Sequence, residues 1–156
     1  MYKRQANENV QIIEHVDDLA IIGFVEVIKH LPYMFKVMGK TVNWLRENNP
    51  DRLILIDYPG FNLRLAREAF QLGIPVTYFI LPQVWAWKEG RVSILRDSVD
   101  QCLSIIPFEQ EWFENKDVKT NFIGHPFIEL EPPTQTIDQF LSSHNLNPDS
   151  PILTLL

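Results

Sequence analysis

The sequence predicts an α/β protein built on a Rossmann-like parallel sheet, and three neighbouring segments carry that prediction. Arg52–Asp57 is a short, continuously apolar run that ends in an acid, which is typical of a buried parallel strand. Pro75–Leu81 is rich in β-branched and aromatic residues, which favours a second strand. Asn62–Leu72, between them, repeats apolar residues at helical spacing. A strand, a helix and a strand in succession form a βαβ unit with a right-handed crossover.

Turn-forming residues set the boundaries of this first unit. Tyr58-Pro59-Gly60 is expected to break the chain after the first strand. Asn62 is a candidate N-cap of the helix, and Gly73 is a candidate C′ residue just beyond its end.

The alternation of strands and helices continues along the chain. The next expected elements are a helix over Glu89–Val99, a strand over Gln101–Ile106, a helix over Pro107–Asn115 and a short closing strand over Thr120–Gly124. Pro107 suits the first position of its helix. Such alternation predicts a doubly wound sheet, in which ligands gather at the carboxyl ends of the strands. Asp57, Gln83 and His125 fall at those ends.

Both ends of the chain depart from the pattern of a complete domain. Residues 1–130 carry the parallel-sheet pattern, but no first strand with a glycine-rich turn precedes it. Residues 131–150 are expected to form a linker with a short helix near Ile137–His144. Residues 151–156 are typical of the first strand of a second domain. The sequence therefore predicts a domain that is cut at both ends.

The stretch Ile21–Leu45 is apolar on nearly all sides. Pro32 is expected to end one helix and to start another. Basic residues outnumber acidic ones in this stretch, although the whole chain has a net charge of −6. Such a segment fits either a buried helical hairpin or a surface that rests on an anionic membrane. The residues alone leave both interpretations open.

Composition excludes several classes of function. The 156 residues are 46% hydrophobic and 22% charged, which fits a folded globular protein rather than a disordered one. A net charge of −6 argues against bulk electrostatic binding to nucleic acid. The single cysteine, Cys102, excludes an internal disulfide framework and fits a reducing, cytosolic compartment. No apolar run reaches the roughly 20 residues that span a bilayer, and no cofactor-binding or metal-binding motif is present.

Five residues near the expected strand ends can carry chemistry. The Asp57 carboxylate can act as a general base or bind hydroxyl groups, or it can merely cap the next helix. Trp85 and Trp87 can stack against a sugar or an apolar ligand, or they can seal the sheet edge. Arg91 can pair with a phosphate or be a solvated arginine. His125 can donate a hydrogen bond or exchange a proton.

Four ordered motifs resemble those of the lipid-A-disaccharide synthase family. They are Ile56-Asp57-Tyr58-Pro59-Gly60-Phe61-Asn62-Leu63, Pro82-Gln83-Val84-Trp85-Ala86-Trp87, Ile106-Pro107-Phe108-Glu109 and Phe122-Ile123-Gly124-His125-Pro126. The second motif is highly specific, and the resemblance spans roughly residues 9–156.

The resemblance implies the N-terminal domain of a GT-B glycosyltransferase that inverts the anomeric carbon and needs no metal or other cofactor. The implied partners are UDP-2,3-diacylglucosamine and 2,3-diacylglucosamine 1-phosphate, which are joined through a β-1,6 linkage with release of UDP. Asp57 matches the family's essential strand-end aspartate, the expected base. The other matching signature positions are Asn62, Gln83, Trp85, Trp87, Arg91 and His125. Gly60 departs from many members, which carry a second carboxylate there.

Acylated substrates also imply a membrane surface. Part of Ile21–Leu45 is then expected to face lipid through Phe24, Ile28 and Phe35, on the cytoplasmic face of the Gram-negative inner membrane. A homodimer of the full-length enzyme is a further implied partner, whereas nucleic acid is not. Because the UDP-binding domain is not represented, the chain alone is expected to lack transferase activity. The alternatives are another sugar-nucleotide enzyme, such as an epimerase, and a non-catalytic membrane-binding module.

Overall fold

A computed structural model describes residue 14, residues 24–129 and residues 134–148, with only the backbone for residues 24–30. The described residues form two compact units, one ending at Gly124 and the other beginning at His125. The expected strand over residues 151–156 lies outside the described residues. So do the side chains of Phe24 and Ile28, two of the three residues predicted to face lipid.

The first unit confirms the predicted α/β fold. Its elements are α1 (Phe24–Asn48), β1 (Leu53–Ile56), α2 (Pro59–Gln71), β2 (Val76–Phe79), a 3₁₀ turn (Glu89–Arg91), α3 (Val92–Ser98), β3 (Gln101–Ser104), α4 (Glu109–Glu114) and β4 (Thr120–Phe122). The four strands are parallel and pair in chain order. In the register, Leu55 lies opposite Tyr78, and Tyr78 lies opposite Cys102.

The described strands do not test the prediction of a doubly wound sheet, which stays a prediction. Their order is β1-β2-β3-β4, so each crossover moves to the next position in the same direction. Since such crossovers are right-handed in nearly all proteins, three in one direction place α2, α3 and α4 on one face of the sheet. A doubly wound sheet needs a reversal of direction, which these four strands do not contain.

The core lies between that face and the three helices. Alternate strand residues on this face are buried: Leu55, Val76, Tyr78, Cys102, Ser104 and Thr120. Leu55, Val76, Tyr78 and Cys102 join one buried cluster, whose helical members include Leu63, Ala66 and Ala69 of α2, Leu95 of α3 and Phe113 of α4.

Strand β1 corrects one prediction, because it is not buried on both faces. Ile54 and Ile56 are 62% and 56% exposed. Both belong to the sheet face that points away from α2, α3 and α4, and β1 is also an edge strand among the described residues. Continuous apolar sequence predicted burial on two faces, and this part of the fold covers only one.

Helix α1 corrects a second prediction. Pro32 lies inside a continuous helix of 25 residues, Phe24–Asn48, and does not divide it. Proline removes one backbone hydrogen bond, whereas the rest of a long helix keeps its own bonds and here buries Val37, Val42 and Leu45.

No helix in the described residues is both long enough and apolar enough to cross a membrane.

The start of α2 corrects a third prediction. The helix begins at Pro59, so Tyr58 occupies the N-cap position and Asn62 lies inside the first turn. Proline is favoured at the first helical position because its fixed φ suits the helix. The end of α2 is as predicted, with Gly73 at φ +73°. The amides of Gly73 and Ile74 donate to the carbonyls of Phe70 and Ala69, which forms a Schellman motif.

Pro107 gives a fourth correction. Helix α4 begins at Glu109, two residues later than predicted, and Pro107 lies in the preceding turn. The amide of Glu109 donates to the carbonyl of Ile106 in that turn.

The second unit contains a 3₁₀ turn (Pro126–Glu129) and the predicted short helix, α5 (Ile137–Ser143). Thr136 caps α5 by accepting from the amide of Gln139, and the Gln139 side chain accepts in return from the amide of Thr136. This capping box satisfies two amides that the helix itself leaves free.

Candidate functional site at the carboxyl ends of the strands

The turn between β1 and α2 holds two consecutive residues in a left-handed conformation. Asp57 has φ +48° and Tyr58 has φ +46°. Neither residue is glycine, so each conformation costs roughly 1–3 kcal/mol and persists only where surrounding contacts impose it. Such strain is concentrated at functional sites, which makes this turn the first feature of the candidate site.

Two side chains hold this turn by its backbone. Asn62 Nδ2 donates to the carbonyl oxygens of Ile56 (3.0 Å) and Asp57 (2.7 Å). The Tyr78 hydroxyl donates to the same Asp57 carbonyl at 2.7 Å. Asn62, a signature position of the sequence, therefore clamps the turn instead of capping the helix.

The side chain of Asp57 is exposed at this edge of the sheet. The alternative role of Asp57 as a helix cap finds no support, because the N-cap residue is Tyr58 and no side chain caps the start of α2. The clamp thus fixes the backbone of Asp57 and leaves its carboxylate directed to solvent, where a ligand can reach it.

Tyr78 is a site residue that the sequence analysis missed. It is fully buried in β2, and burial raises the pKa of its hydroxyl well above the ordinary value, with a further contribution from the charge of Asp57. The charge of Arg91 acts in the opposite direction on the same pKa. Asp57 and Arg91, two predicted site residues, therefore both lie within electrostatic reach of one phenol. The sequence feature that could have revealed Tyr78 is a tyrosine within a predicted buried strand, because a buried hydroxyl needs a hydrogen-bond partner.

The loop after β2 is strained as well. Ile80 has φ +61°, which is rare for a β-branched residue, and Lys88 has φ +60°. Between them, Val84 is buried in the core, whereas Gln83 is exposed. The amide of Ala86 donates to the carbonyl of Gln83 at 3.1 Å, which closes a turn. The predicted ligand residue Gln83 thus stands outward on a tightly folded loop.

The two tryptophans of this loop have different surroundings. Trp85 is half-buried, donates from Nε1 to Oε1 of Glu109 at 3.0 Å, and meets the Phe108 ring edge-on at 5.0 Å. Trp87 is 62% exposed, with Lys88 Nζ 4.3 Å from its ring centroid. Trp85 therefore packs against the start of α4, whereas the Trp87 ring is largely exposed beside a cation.

Arg91 lies at the end of the 3₁₀ turn that follows the loop, and its guanidinium carbon is 6.0 Å from the Trp87 ring centroid. The exposed ring and two cations, Lys88 and Arg91, form a surface that combines stacking with attraction for an anionic group.

His125 belongs to the second unit and is described there by itself. Its Nδ1 accepts from the amide of Phe127 at 3.2 Å, and the two rings meet edge-to-face at 4.9 Å. Because Nδ1 acts as the acceptor, the neutral ring carries its proton on Nε2, which is then available as a donor.

Glu109 is the second residue that the sequence analysis did not place in the site. Its side chain is 1% exposed, and its Oε2 has no hydrogen-bond partner among the described residues. Burial raises the pKa of this carboxyl, against smaller opposite contributions from the Trp85 indole and the Ile106 backbone. Within the described ranges, no three His, Cys, Asp or Glu residues are grouped so that they could hold a metal ion.

Comparison with known proteins identifies close relatives. A family model described as lipid-A-disaccharide synthetase matches residues 2–156. A lipid-A-disaccharide synthase of Trichlorobacter lovleyi is 43% identical over 138 residues, which are 88% of this chain and 36% of that protein. A synthase of Acidobacterium capsulatum is 40% identical over 136 residues, 87% of this chain and 34% of the relative. A synthase of Coxiella burnetii is 32% identical over 153 residues, 98% of this chain and 41% of the relative.

The chain spans between 34% and 41% of the length of these three relatives. The family match, in contrast, covers almost all residues of this chain, including every predicted site residue. The chain therefore belongs to the lipid-A-disaccharide synthetase family.

Proposed function

We propose that this chain supplies the acceptor side of a glycosyltransferase that makes the lipid A disaccharide. In the proposed reaction, the 6-hydroxyl of 2,3-diacylglucosamine 1-phosphate attacks the anomeric carbon of UDP-2,3-diacylglucosamine. The new carbon–oxygen bond forms with inversion, and UDP leaves with the electron pair of the bond that breaks. Family membership and the names of the relatives support this reaction.

Asp57 is the proposed general base. One observation carries the assignment: its backbone is clamped in a strained left-handed turn by Asn62 and Tyr78, while its carboxylate stays exposed. A fixed backbone limits the positions that the carboxylate can reach, which favours proton transfer from a correctly bound hydroxyl. No second carboxylate is needed, which agrees with Gly60 at the second position of α2.

The remaining signature residues are proposed to bind the acceptor. Trp87 presents a ring face for stacking against a sugar, and Gln83 presents an amide for its hydroxyl groups. Arg91, beside Trp87, is suited to the 1-phosphate group. Trp85 is proposed to act by holding the loop. His125 lies in the second unit, and its proposed role stays within that unit: its Nε2 is a donor for a substrate oxygen.

The test of the base is Asp57→Asn in the intact gene product, measured by UDP release from both acylated substrates. Loss of a general base is expected to lower the turnover rate by about 10²–10⁴-fold. Asp51→Asn is the matched control, because it makes the same change at an exposed residue before β1. An Asp57→Asn enzyme that works within about threefold of the unaltered rate would exclude this role. The same assay with deacylated acceptor distinguishes the proposed transferase from an epimerase or another sugar-nucleotide enzyme, because those enzymes do not require the acyl chains.

We also propose that helix α1 places this site against an anionic lipid surface. Positions 24, 28, 31 and 35 are spaced so that they share one helix face. Leu31 and Phe35 are 41% and 60% exposed on it, and the Arg64 guanidinium carbon lies 5.9 Å from the Phe35 ring centroid. The neighbouring Met34 contacts the hydroxyl of Tyr58 at 3.8 Å, directly beside Asp57. An apolar face with a cation beside it favours binding to the headgroup region.

Flotation with anionic liposomes tests this surface. The triple variant Phe24→Ser, Ile28→Ser and Phe35→Ser is expected to leave the liposome fraction while staying folded. Phe70→Ser is the matched control, because Phe70 is also 60% exposed but lies on α2. Equal flotation of the triple variant and the control would argue for a non-lipid role of α1.

A further inference from the structure

The loop over residues 82–88 carries two of the proposed acceptor contacts, Gln83 and Trp87, and its attachments to the rest of its unit lie mainly at its start. Leu81 and Val84 are buried in the core and anchor the start of the loop. Beyond Val84, the residues Ala86, Trp87 and Lys88 are all exposed. Trp85 is therefore the last attached side chain before the exposed ring of Trp87.

Trp85 is attached through Glu109, at the first position of α4. Its indole nitrogen donates to Oε1 of Glu109 at 3.0 Å, and its ring packs edge-on against Phe108. This link joins the loop after β2 to the connection after β3, two strands that are neighbours in the sheet. The link therefore connects the two segments that follow neighbouring strands at the candidate site.

The acid at this link is unusual for its position. A carboxyl group that is 99% buried, with a single side-chain donor and an unpartnered Oε2, is costly to keep in a protein. Burial favours its neutral form. A surface glutamate at the same helix start would gain from the helix dipole without that cost. Stability alone does not account for this acid.

We propose that Glu109 is a positioning residue of the acceptor site, which acts through the Trp85 indole to hold Gln83 and Trp87 in their binding orientation. The inference rests on the proposed function, since it assigns the held loop to the lipid acceptor. Glu109 itself does not contact the reacting atoms in this proposal.

The first experiment observes the loop without any substrate. The four tryptophan indole N–H signals of the 156-residue chain are recorded by NMR and assigned by single Trp→Phe changes. Glu109→Gln keeps a neutral acceptor, so the signals of Trp85 and Trp87 are expected to stay in place. Glu109→Ala removes it, so both signals are expected to shift, and the Trp85 proton is expected to exchange with water about tenfold faster. Trp44, on α1, reports whether the fold is intact.

The second experiment measures binding of 2,3-diacylglucosamine 1-phosphate in detergent micelles to the same variants. Glu109→Ala is expected to weaken binding by about fivefold to tenfold, whereas Glu109→Gln stays within about twofold. Glu111→Ala is the matched control, since Glu111 is an exposed acid on the same helix. If Glu109→Ala does not fold, Trp85→Phe breaks the same link and is expected to give the same loss.

The outcomes separate the two proposals. A chain that binds no acceptor lipid contradicts the proposed function, while the NMR signals still decide whether Glu109 holds the loop. Unchanged Trp87 signals in both Glu109→Ala and Trp85→Phe overturn the positioning role. A Glu109→Gln chain that behaves like Glu109→Ala also overturns it, because the neutral acceptor would then not be what matters.

Discussion

Tyr78→Phe tests how the strained turn at Asp57 is held. The substitution removes only the hydroxyl that donates to the Asp57 carbonyl at 2.7 Å, and the ring can keep its place in the core. The carbonyl retains Asn62 Nδ2 as its other donor, also at 2.7 Å, so no acceptor loses all its partners. The free energy of unfolding is therefore expected to fall by about 1 kcal/mol, the usual net value of one hydrogen bond.

The effect is expected to grow when Asn62 is also removed. Asn62→Ala breaks the contacts to Ile56 and Asp57, which should cost about 1–2 kcal/mol. In the double variant, neither side chain holds the left-handed turn, whose two residues store roughly 1–3 kcal/mol of strain each. The double variant should then lose more than the sum of the single losses, by at least about 0.5 kcal/mol.

Urea unfolding of the four proteins, followed by circular dichroism, measures these differences. Tyr33→Phe is the matched control, because it removes a hydroxyl that donates to Glu14 outside the core and should cost no more than about 0.5 kcal/mol. Losses that add to within about 0.3 kcal/mol would show that the two side chains do not share one structural task. A Tyr78→Phe protein as stable as the unaltered chain would refute the clamp itself.

Three further predictions follow from the fold. Gly73→Ala should lower the free energy of unfolding by about 1 kcal/mol, measured by urea unfolding. An added Cβ meets no atom within 4 Å, so the whole loss comes from φ +73°. An unchanged urea midpoint would contradict this. Pro32→Ala should stabilise the chain by about 1–3 kcal/mol by restoring an amide donor inside α1, and a lower melting temperature would contradict this. Burial raises the pKa of Glu109 above its ordinary value of 4.5, so the folded state keeps a proton that the unfolded state releases. The free energy of unfolding is therefore expected to fall as the pH rises from about 4.5 through the raised pKa. Urea titrations at several pH values should show a smaller fall for Glu109→Gln than for the unaltered chain. Equal slopes of unfolding free energy against pH in the two proteins would refute this.

Local patterns in the sequence predicted the elements well where one residue type has one conformational use. Gly73 ends α2 as predicted because the left-handed position after a helix selects glycine. Thr120–Gly124 and Ile137–His144 contain β4 and α5 for similar local reasons.

The errors occur where a residue type has two uses. Proline both breaks helices and begins them, and the sequence does not say which. Pro32 lies inside α1 instead of ending a helix, Pro59 begins α2 instead of forming a break, and Pro107 precedes α4 instead of starting it. Asparagine caps helices, but it also donates through its amide, and Asn62 uses the second property.

The sequence by itself determined the class of fold and the order of the motifs, because hydrophobic period and turn residues act over a few neighbouring positions. It also placed Asp57 at a strand end, where the parallel sheet brings such residues to one edge. Only the tertiary structure decided how that aspartate is held, since Asn62 and Tyr78 reach it from a helix and from the neighbouring strand. The same holds for Trp85 and Glu109, which are 24 residues apart and meet because β2 and β3 pair side by side. Contacts of this kind depend on strand register and burial, which no local pattern encodes.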